Sequence, residues 1–176
     1  MKSSLKVVTT PMCEEILKIA GINEYVVNKD PDSVNADMAV TLSETEISTK
    51  CLKIKLNTFS QIRESVELIS ATFGTNPLDL KINKVKCRNK EKNRKIKVKV
   101  YSNFLKEIVD DMGFNIVDSN YDFVVYPDYM KDKIINEIED NIKLVEIPSH
   151  KNVPLNPIKR AQMRYSILEK ELCMKP

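Results

Sequence analysis

A cysteine near the start of the chain has the sequence surroundings of a reactive thiol. The run Val7–Cys13 predicts the end of a strand turning into a helix, with Thr10 as N-cap and Pro11 at the first helical position. Cys13 would then lie in the first helical turn, where the positive end of the helix dipole favours a thiolate. Such a thiolate could bond covalently to an anionic ligand, with Thr9 and Thr10 lining the site.

The alternative for Cys13 is a small buried apolar residue. Glu14 and Glu15 directly follow it, and their charges oppose thiolate formation. The only histidine of the chain is distant in sequence, so no general base can be assigned to the thiol. Both interpretations stay open on the sequence.

A second candidate site lies at the start of the last predicted helix. Asn156 can cap this helix, with Pro157 at its first position. Lys159 and Arg160 fall in the first turn, where cations oppose the helix dipole unless an anion neutralises them. We therefore predict a phosphate site here, and the alternative is a solvated basic helix start. The residues of this candidate are Ser149, His150, Lys151, Asn156, Lys159 and Arg160.

Basic charge is concentrated in one segment. Residues 81–99 hold ten lysines and arginines and a single acid, Glu91. Such a segment could contact a nucleic-acid backbone. It contains no aromatic residue for base stacking, however, and residues 95–100 also fit a sheet strand guarded by lysines. Nucleic-acid binding is therefore the less favoured interpretation.

Composition narrows the class of protein. No apolar run approaches the ~20 residues that a membrane span needs, and no secretory segment follows Met1. The four cysteines, at positions 13, 51, 87 and 173, have no metal-binding spacing and predict reduced thiols. Acids follow predicted strands at Glu44, Glu46 and Asp128, where one could accept hydrogen bonds from a ribose or a guanine. We predict a cytoplasmic protein with no metal site and no tightly bound cofactor.

Strand and helix patterns alternate along the chain, which is typical of βαβ units and a parallel sheet. Only three glycines occur, each just past an apolar helical pattern, so no phosphate-cradling glycine loop is present. We predict strands at residues 5–9, 24–27, 36–42, 52–56, 80–85, 96–101, 114–117, 121–126 and 142–147, a charged turn at 88–94, and helices at 11–20, 59–73, 103–112, 130–140 and 157–173.

The two halves of the chain share a pattern. The segments from Lys6 and from Val98 align without a gap at an offset of 92, although convergence of two strand–turn–helix units is an alternative. This offset aligns Cys13 with Leu105, which supports the buried interpretation of the thiol. We predict an α/β fold of two similar Rossmann-like halves, residues 1–75 and 95–176, joined by a basic connector at 76–94 and packed around a cleft at the strand C-terminal ends.

The run Val8–Cys13 resembles the cysteine segment of a methanogen protein family. That family is the F member of the gene cluster that co-occurs with [Fe]-hydrogenase and makes its iron-guanylylpyridinol cofactor. The resemblance implies that guanylylpyridinol binds through its guanylyl part. It also implies that the ligand's carboxylate, activated by a separate adenylating partner protein, forms a thioester with Cys13 by acyl transfer.

Three functions are therefore predicted from the sequence. The first is the thioester chemistry on Cys13 in cofactor biosynthesis. The second is non-covalent binding of an anionic nucleotide or metabolite, with Cys13 merely structural. The third is nucleic-acid binding through residues 81–99.

Overall fold

The chain forms two compact units, each with its own sheet. The computed structural model describes residues 5–80, 82 and 90–173. One unit comprises Met1–Ile82 with Leu155–Lys159, and the other comprises Asn83–Pro154 with Arg160–Pro176. The two halves therefore do not share a sheet, a point that the sequence left open.

The first unit contains four parallel strands in the order β2-β1-β3-β4. Val8 of β1 lies between Val26 of β2 and Ala39 of β3, which fixes the register of the three strands. The elements of this unit are β1 (Val7–Thr9), α1 (Glu14–Ile19), β2 (Val26–Val27), β3 (Met38–Leu42), β4 (Cys51–Ile54) and α2 (Phe59–Phe73).

The second unit repeats this arrangement, with parallel strands in the order β6-β5-β7-β8. Val98 of β5 lies between Ile116 of β6 and Phe123 of β7. The elements are α3 (Lys90–Asn93), β5 (Lys97–Val100), α4 (Asn103–Asp111), β6 (Asn115–Ile116), β7 (Phe123–Pro127), α5 (Lys131–Glu137), β8 (Lys143–Ile147) and α6 (Pro157–Cys173), the last of which begins in the part of the chain assigned to the first unit.

The common strand order confirms the α/β prediction. Both sheets are entirely parallel, and each first strand lies second in its sheet, flanked by the next two strands of the chain. This is the arrangement that Rossmann-like βαβ halves give, with all strand C-terminal ends at one edge of each sheet. That edge is where the loops after β5, β7 and β8 gather in the second unit.

Apolar helix faces and strands build each core. In the first unit Ile16, Val40 and Ile69 are fully buried, and in the second Leu105 and Val124 are fully buried. Deletion of such a side chain typically costs about 2–5 kcal/mol, so these positions hold the loops of each unit in place.

Two predicted helices have the bounds that their end signals indicate. Helix α2 begins after Thr58, whose hydroxyl accepts a hydrogen bond from the Gln61 amide while the Gln61 side chain bonds back to the Thr58 amide. It ends at Gly74, which adopts a left-handed φ of 66°. Helix α6 also has the predicted bounds, Pro157–Cys173.

The predicted helix at residues 11–20 is wrong in its first turn. Pro11–Cys13 forms a 3-10 turn, and α1 begins only at Glu14. The Cys13 amide donates to the Thr10 carbonyl oxygen at 2.9 Å, so it is not available to the Thr10 hydroxyl, which makes no capping bond. Cys13 is therefore the N-cap of α1 and not a residue of its first turn.

The predictions for the basic connector fall partly outside the described residues. The predicted strand at residues 80–85 lies mostly there. The predicted turn at 88–94 is described from Lys90 onward, and it is wrong in that part, because Lys90–Asn93 forms the short helix α3. Among the helices that the structure describes, none has the length and apolar character needed to cross a membrane.

Candidate anion-binding site

Cys13 lies in the core of the first unit, with no exposed surface. The helix that it caps has only six residues, and its first turn carries Glu14 and Glu15, both of which pair with Lys18. These carboxylates already occupy the positive end of the helix. Attack by the thiol on a ligand would therefore require this part of the core to open.

The two threonines beside the thiol differ in their hydrogen bonding. Thr9 is fully buried, and its hydroxyl donates to the Val40 carbonyl oxygen of the neighbouring strand at 2.8 Å. Thr10 is half-buried and leaves the helix start uncapped. The Thr9 side chain thus stabilises the pairing of β1 with β3. Ligand binding by Thr9 and Thr10 stays a prediction.

The carboxyl edge of the second sheet is cross-linked by a hydrogen-bonded pair, half-buried Asp128 and buried Ser149. Asp128 directly follows β7, and Ser149 lies two residues after β8. Oδ1 of Asp128 accepts hydrogen bonds from the Ser149 hydroxyl at 2.5 Å, from the Ser149 amide at 3.2 Å and from the Tyr129 amide at 3.0 Å. Three donors therefore stabilise this carboxylate and fix the two loops against each other.

A buried arginine from α6 joins the same loops. Arg164 is 4% exposed; its Nε donates to the Pro148 carbonyl at 3.1 Å, and its Nη2 donates to the Ser149 carbonyl at 2.5 Å. Its guanidinium carbon lies 4.7 Å from the centre of the Phe104 ring, at the start of α4. Within residues 5–80, 82 and 90–173, no carboxylate forms an ion pair with Arg164.

Positive charge accumulates around Arg164. Burial, together with the neighbouring charge of Arg160, lowers the pKa of Arg164 to about 10, and Asp128 only partly opposes this shift. Arg160 lies one helical turn earlier, is 2% exposed and donates to the Pro154 carbonyl at 3.1 Å. Like charges at this spacing repel each other, so an added anion would stabilise the Arg164 guanidinium.

The residue that precedes α4 has a buried hydroxyl without a hydrogen-bond partner among the described residues. Ser102, the residue before α4, has φ 103° and ψ 146°, close to a region that essentially only glycine occupies, at a cost of about 1–3 kcal/mol. The first turn of α4 carries no acid, and the Ser102 side chain does not cap it.

These features share one place. Phe104, which packs beneath the Arg164 guanidinium, is the second residue of α4. The start of α4, with Ser102 before it, and the Arg164 guanidinium over Phe104 therefore both lie at the carboxyl edge of the second sheet. This combination favours a bound anion, because a helix N-terminus and a guanidinium both donate to negatively charged oxygens.

Comparison with protein-family models, with curated proteins and with solved structures finds no match to this chain. The resemblance of Val8–Cys13 to the cofactor-biosynthesis family, and the ligand and partner that it implies, therefore stay predictions.

The structure divides the predicted site residues between the two units. Thr9, Thr10 and Cys13 belong to the first unit, together with Asn156 and Lys159. The other four predicted residues belong to the second unit; they are Ser149, His150, Lys151 and Arg160.

The predicted helix cap is confirmed. The side-chain oxygen of Asn156 accepts hydrogen bonds from the amides of Ile158 and Lys159 at 3.0 and 3.1 Å. Lys159 itself is exposed, as are His150 and Lys151, whereas Ser149 and Arg160 are buried. Of the predicted phosphate ligands, only the last two lie with Arg164 in the buried cluster.

Sequence reasoning missed Ser102, Phe104 and Arg164 as site residues. Signals for two of them were present. The offset of 92 aligns Ser102 with Thr10, the residue predicted to cap the first helix. Arg164 follows Arg160 by four residues and so lies on the same helix face.

The basic segment gives a mixed result. Residues 81 and 83–89 lie outside the described residues. Lys97–Val100 forms β5, as the strand interpretation predicted. The amino group of Lys99 lies 5.3 Å from the ring centres of both Tyr101 and Tyr121. Residues 81–99 themselves contain no aromatic residue, so these two rings come from outside the basic segment.

Metal ligation has no support in the described part of the chain. No group of three or more histidine, cysteine, aspartate or glutamate side chains there could hold a metal ion. Cys13, Cys51 and Cys173 form no disulfide within the described residues, and they are respectively buried, half-buried and exposed.

Proposed function

We propose that this protein is a cytoplasmic binding protein for an anionic, phosphate-bearing metabolite, which it holds without a covalent bond at the carboxyl edge of the second sheet. The observation that carries this proposal is Arg164, a buried cation that forms no ion pair within the described residues. Buried charges in proteins are normally paired with an opposite charge or with a ligand.

The hydrogen bonds of Arg164 leave room for such a ligand. A guanidinium group has five N–H donors, and the Pro148 and Ser149 carbonyls accept from two of them. Carbonyl oxygens orient the group but supply no compensating charge. An anion would supply that charge and use the remaining donors.

The loops around Arg164 support a preformed site. Asp128 and Ser149 are joined by hydrogen bonds, and the Ser149 carbonyl in turn fixes the guanidinium. A positively charged group that is already oriented loses little conformational entropy when a ligand binds. Guanylylpyridinol, with its guanylyl phosphate, remains one candidate ligand.

Thioester formation on Cys13 remains a prediction of the sequence resemblance. It requires an adenylating partner and access to a thiol that is fully buried. The anion site requires neither, so non-covalent binding is the function that the geometry supports best.

The proposal is tested by isothermal titration of the full-length chain with inorganic phosphate, GMP and guanylylpyridinol. Arg164→Gln removes the charge while keeping one donor, and we expect it to weaken binding of each phosphate compound at least tenfold, as loss of a charge-assisted hydrogen bond does. Arg63→Gln, an exposed arginine of α2, is the matched control and should leave affinity unchanged.

Arg164→Lys separates charge from geometry. Lysine retains the charge but cannot bond both carbonyls and an anion in the fork arrangement, so we expect intermediate affinity. Circular dichroism would verify that each variant is folded. Equal affinities of the native chain and a folded Arg164→Gln variant would contradict the proposal.

A further inference from the structure

We infer that the ligand carries a terminal phosphate group, and that this phosphate binds at the first turn of α4 with the Ser102 hydroxyl as a donor. The inference rests on the proposed function, because Arg164 is the neighbouring cation. It goes further in assigning the phosphomonoester class and a binding residue on a different element.

The Ser102 hydroxyl is the first observation. A buried hydroxyl oxygen without a partner costs free energy, and the described residues offer Ser102 none. Ser102 as a whole is only half-buried, so the residue itself can be reached from solvent.

The helix that follows provides the remaining donors. Helix α4 has nine residues, with neither an acid in its first turn nor a side-chain capping bond. Its first amides therefore point to the N-terminal side without a side-chain acceptor from Ser102. The start of α2, in the first unit, differs from that of α4, because Thr58 and Gln61 cap α2 reciprocally.

Arg164 places a positive charge over the ring of Phe104, a residue of the first turn of α4. Its guanidinium lies 4.7 Å from the ring centre of Phe104, two residues after Ser102. The nearby carboxylate of Asp128 accepts three hydrogen bonds from Ser149 and Tyr129, and these bonds partly neutralise its repulsion of an anion.

The donor set matches a phosphomonoester better than a carboxylate. A terminal phosphate has three free oxygens and a charge close to −2, whereas a carboxylate has two oxygens and one charge. A hydroxyl, the helix amides and a guanidinium can each donate to a different phosphate oxygen. We therefore expect binding of inorganic phosphate and nucleoside monophosphates, and weak binding of acetate and nucleosides.

The decisive variant is Ser102→Gly, because the inferred role and a structural role predict opposite effects. Glycine adopts a φ of 103° without strain, so the melting temperature of the free protein should rise. Loss of the hydroxyl should weaken inorganic phosphate and GMP binding about tenfold. Asn120→Gly, at a φ of 53° in the same unit, is the matched control and should leave phosphate affinity unchanged.

Three results would overturn the inference, and they are distinguishable. Unchanged phosphate affinity in Ser102→Gly, with a loss in Arg164→Gln, would remove Ser102 from the site and leave the proposed function intact. Acetate that binds the native chain as tightly as phosphate would overturn the phosphomonoester class. Failure of the native chain to bind any of phosphate, GMP, guanylylpyridinol and acetate in titrations would overturn the inference and the proposed function together.

Discussion

Asp128 and Ser149 join the ends of two adjacent strands through a hydrogen bond of 2.5 Å between the serine hydroxyl and the carboxylate Oδ1. Because the bond is charge-assisted and the serine is buried, we predict that Ser149→Ala lowers the free energy of unfolding by about 1–3 kcal/mol. Urea denaturation monitored by circular dichroism would measure the change.

A double-mutant cycle with Asp128→Asn would isolate this hydrogen bond from the other bonds of Asp128. We expect the two substitutions to be non-additive by about 1 kcal/mol, because each removes the same bond. Strict additivity would show that the pair does not couple β7 to β8.

Two threonines at helix starts provide a second prediction. Thr58 forms a complete capping box with Gln61, whereas the Thr10 hydroxyl makes no cap bond. Thr58→Ala should therefore lower the free energy of unfolding by about 1 kcal/mol, and Thr10→Ala should change it by less than about 0.5 kcal/mol. Thermal unfolding of the two variants would test the difference, which equal losses would contradict.

Two glycines that end helices differ in how much room surrounds them. A Cβ atom at Gly21 would lie 2.4 Å from the Asn76 carbonyl oxygen, whereas one at Gly74 would meet nothing within 4 Å. Both have a positive φ, so Gly74→Ala should cost about 1 kcal/mol from backbone strain. Gly21→Ala should cost about 3 kcal/mol, because backbone must also move.

The comparison is made by urea unfolding of both variants. Native-state hydrogen exchange at the amide of Leu78, which donates to the Ile19 carbonyl near this contact, would locate the disturbance. A Gly21→Ala variant no less stable than Gly74→Ala would contradict the packing argument.

The parts of the fold that were predictable are those with local signals. The end of Phe59–Phe73 was marked by a terminal glycine, and the start of Pro157–Cys173 by an asparagine–proline pair. The capping box at Thr58 and Gln61 is a further local signal that the sequence analysis did not use. Strand existence and type were also predictable from apolar patterning, although strands such as Val26–Val27 are shorter than predicted, since sheet pairing decides where a strand ends.

The candidate site was only partly predictable, because its key relationships are tertiary. Nothing local to Arg164 indicates that it packs over Phe104 or bonds to the carbonyls after β8. The positive φ of Ser102 likewise depends on how β5 meets α4, and serine gives no sequence signal for it. Arg160 was predicted as a phosphate ligand in the first turn of the last helix, and nothing in the sequence indicated that it is buried.

The environment of Cys13 leads to a final prediction about thiol reactivity. Cys13 is fully buried, while Cys51 is half-buried and Cys173 is exposed. Burial raises the pKa of the Cys173 thiol, which slows it, but alkylation of Cys13 must first open the core. We therefore expect iodoacetamide to modify Cys13 at least tenfold more slowly than Cys51 and Cys173 in the native chain, as measured by peptide mass spectrometry.

The same assay bears on the covalent mechanism. In denaturant the three thiols should react at similar rates, which controls for intrinsic reactivity. Fast native labelling of Cys13 would contradict the buried arrangement and favour thioester chemistry. Intact-mass analysis with guanylylpyridinol, ATP and an extract supplying the adenylating partner would then test for the thioester. An adduct that hydroxylamine removes, and that the Cys13→Ser variant lacks, would show that the ligand is bound through the Cys13 thiol. A non-covalent binding protein should give two results in these assays. Cys13 should be labelled slowly, because the closed core protects it. Phosphate binding should survive Cys13→Ser, because the substitution leaves the arginine site unaffected.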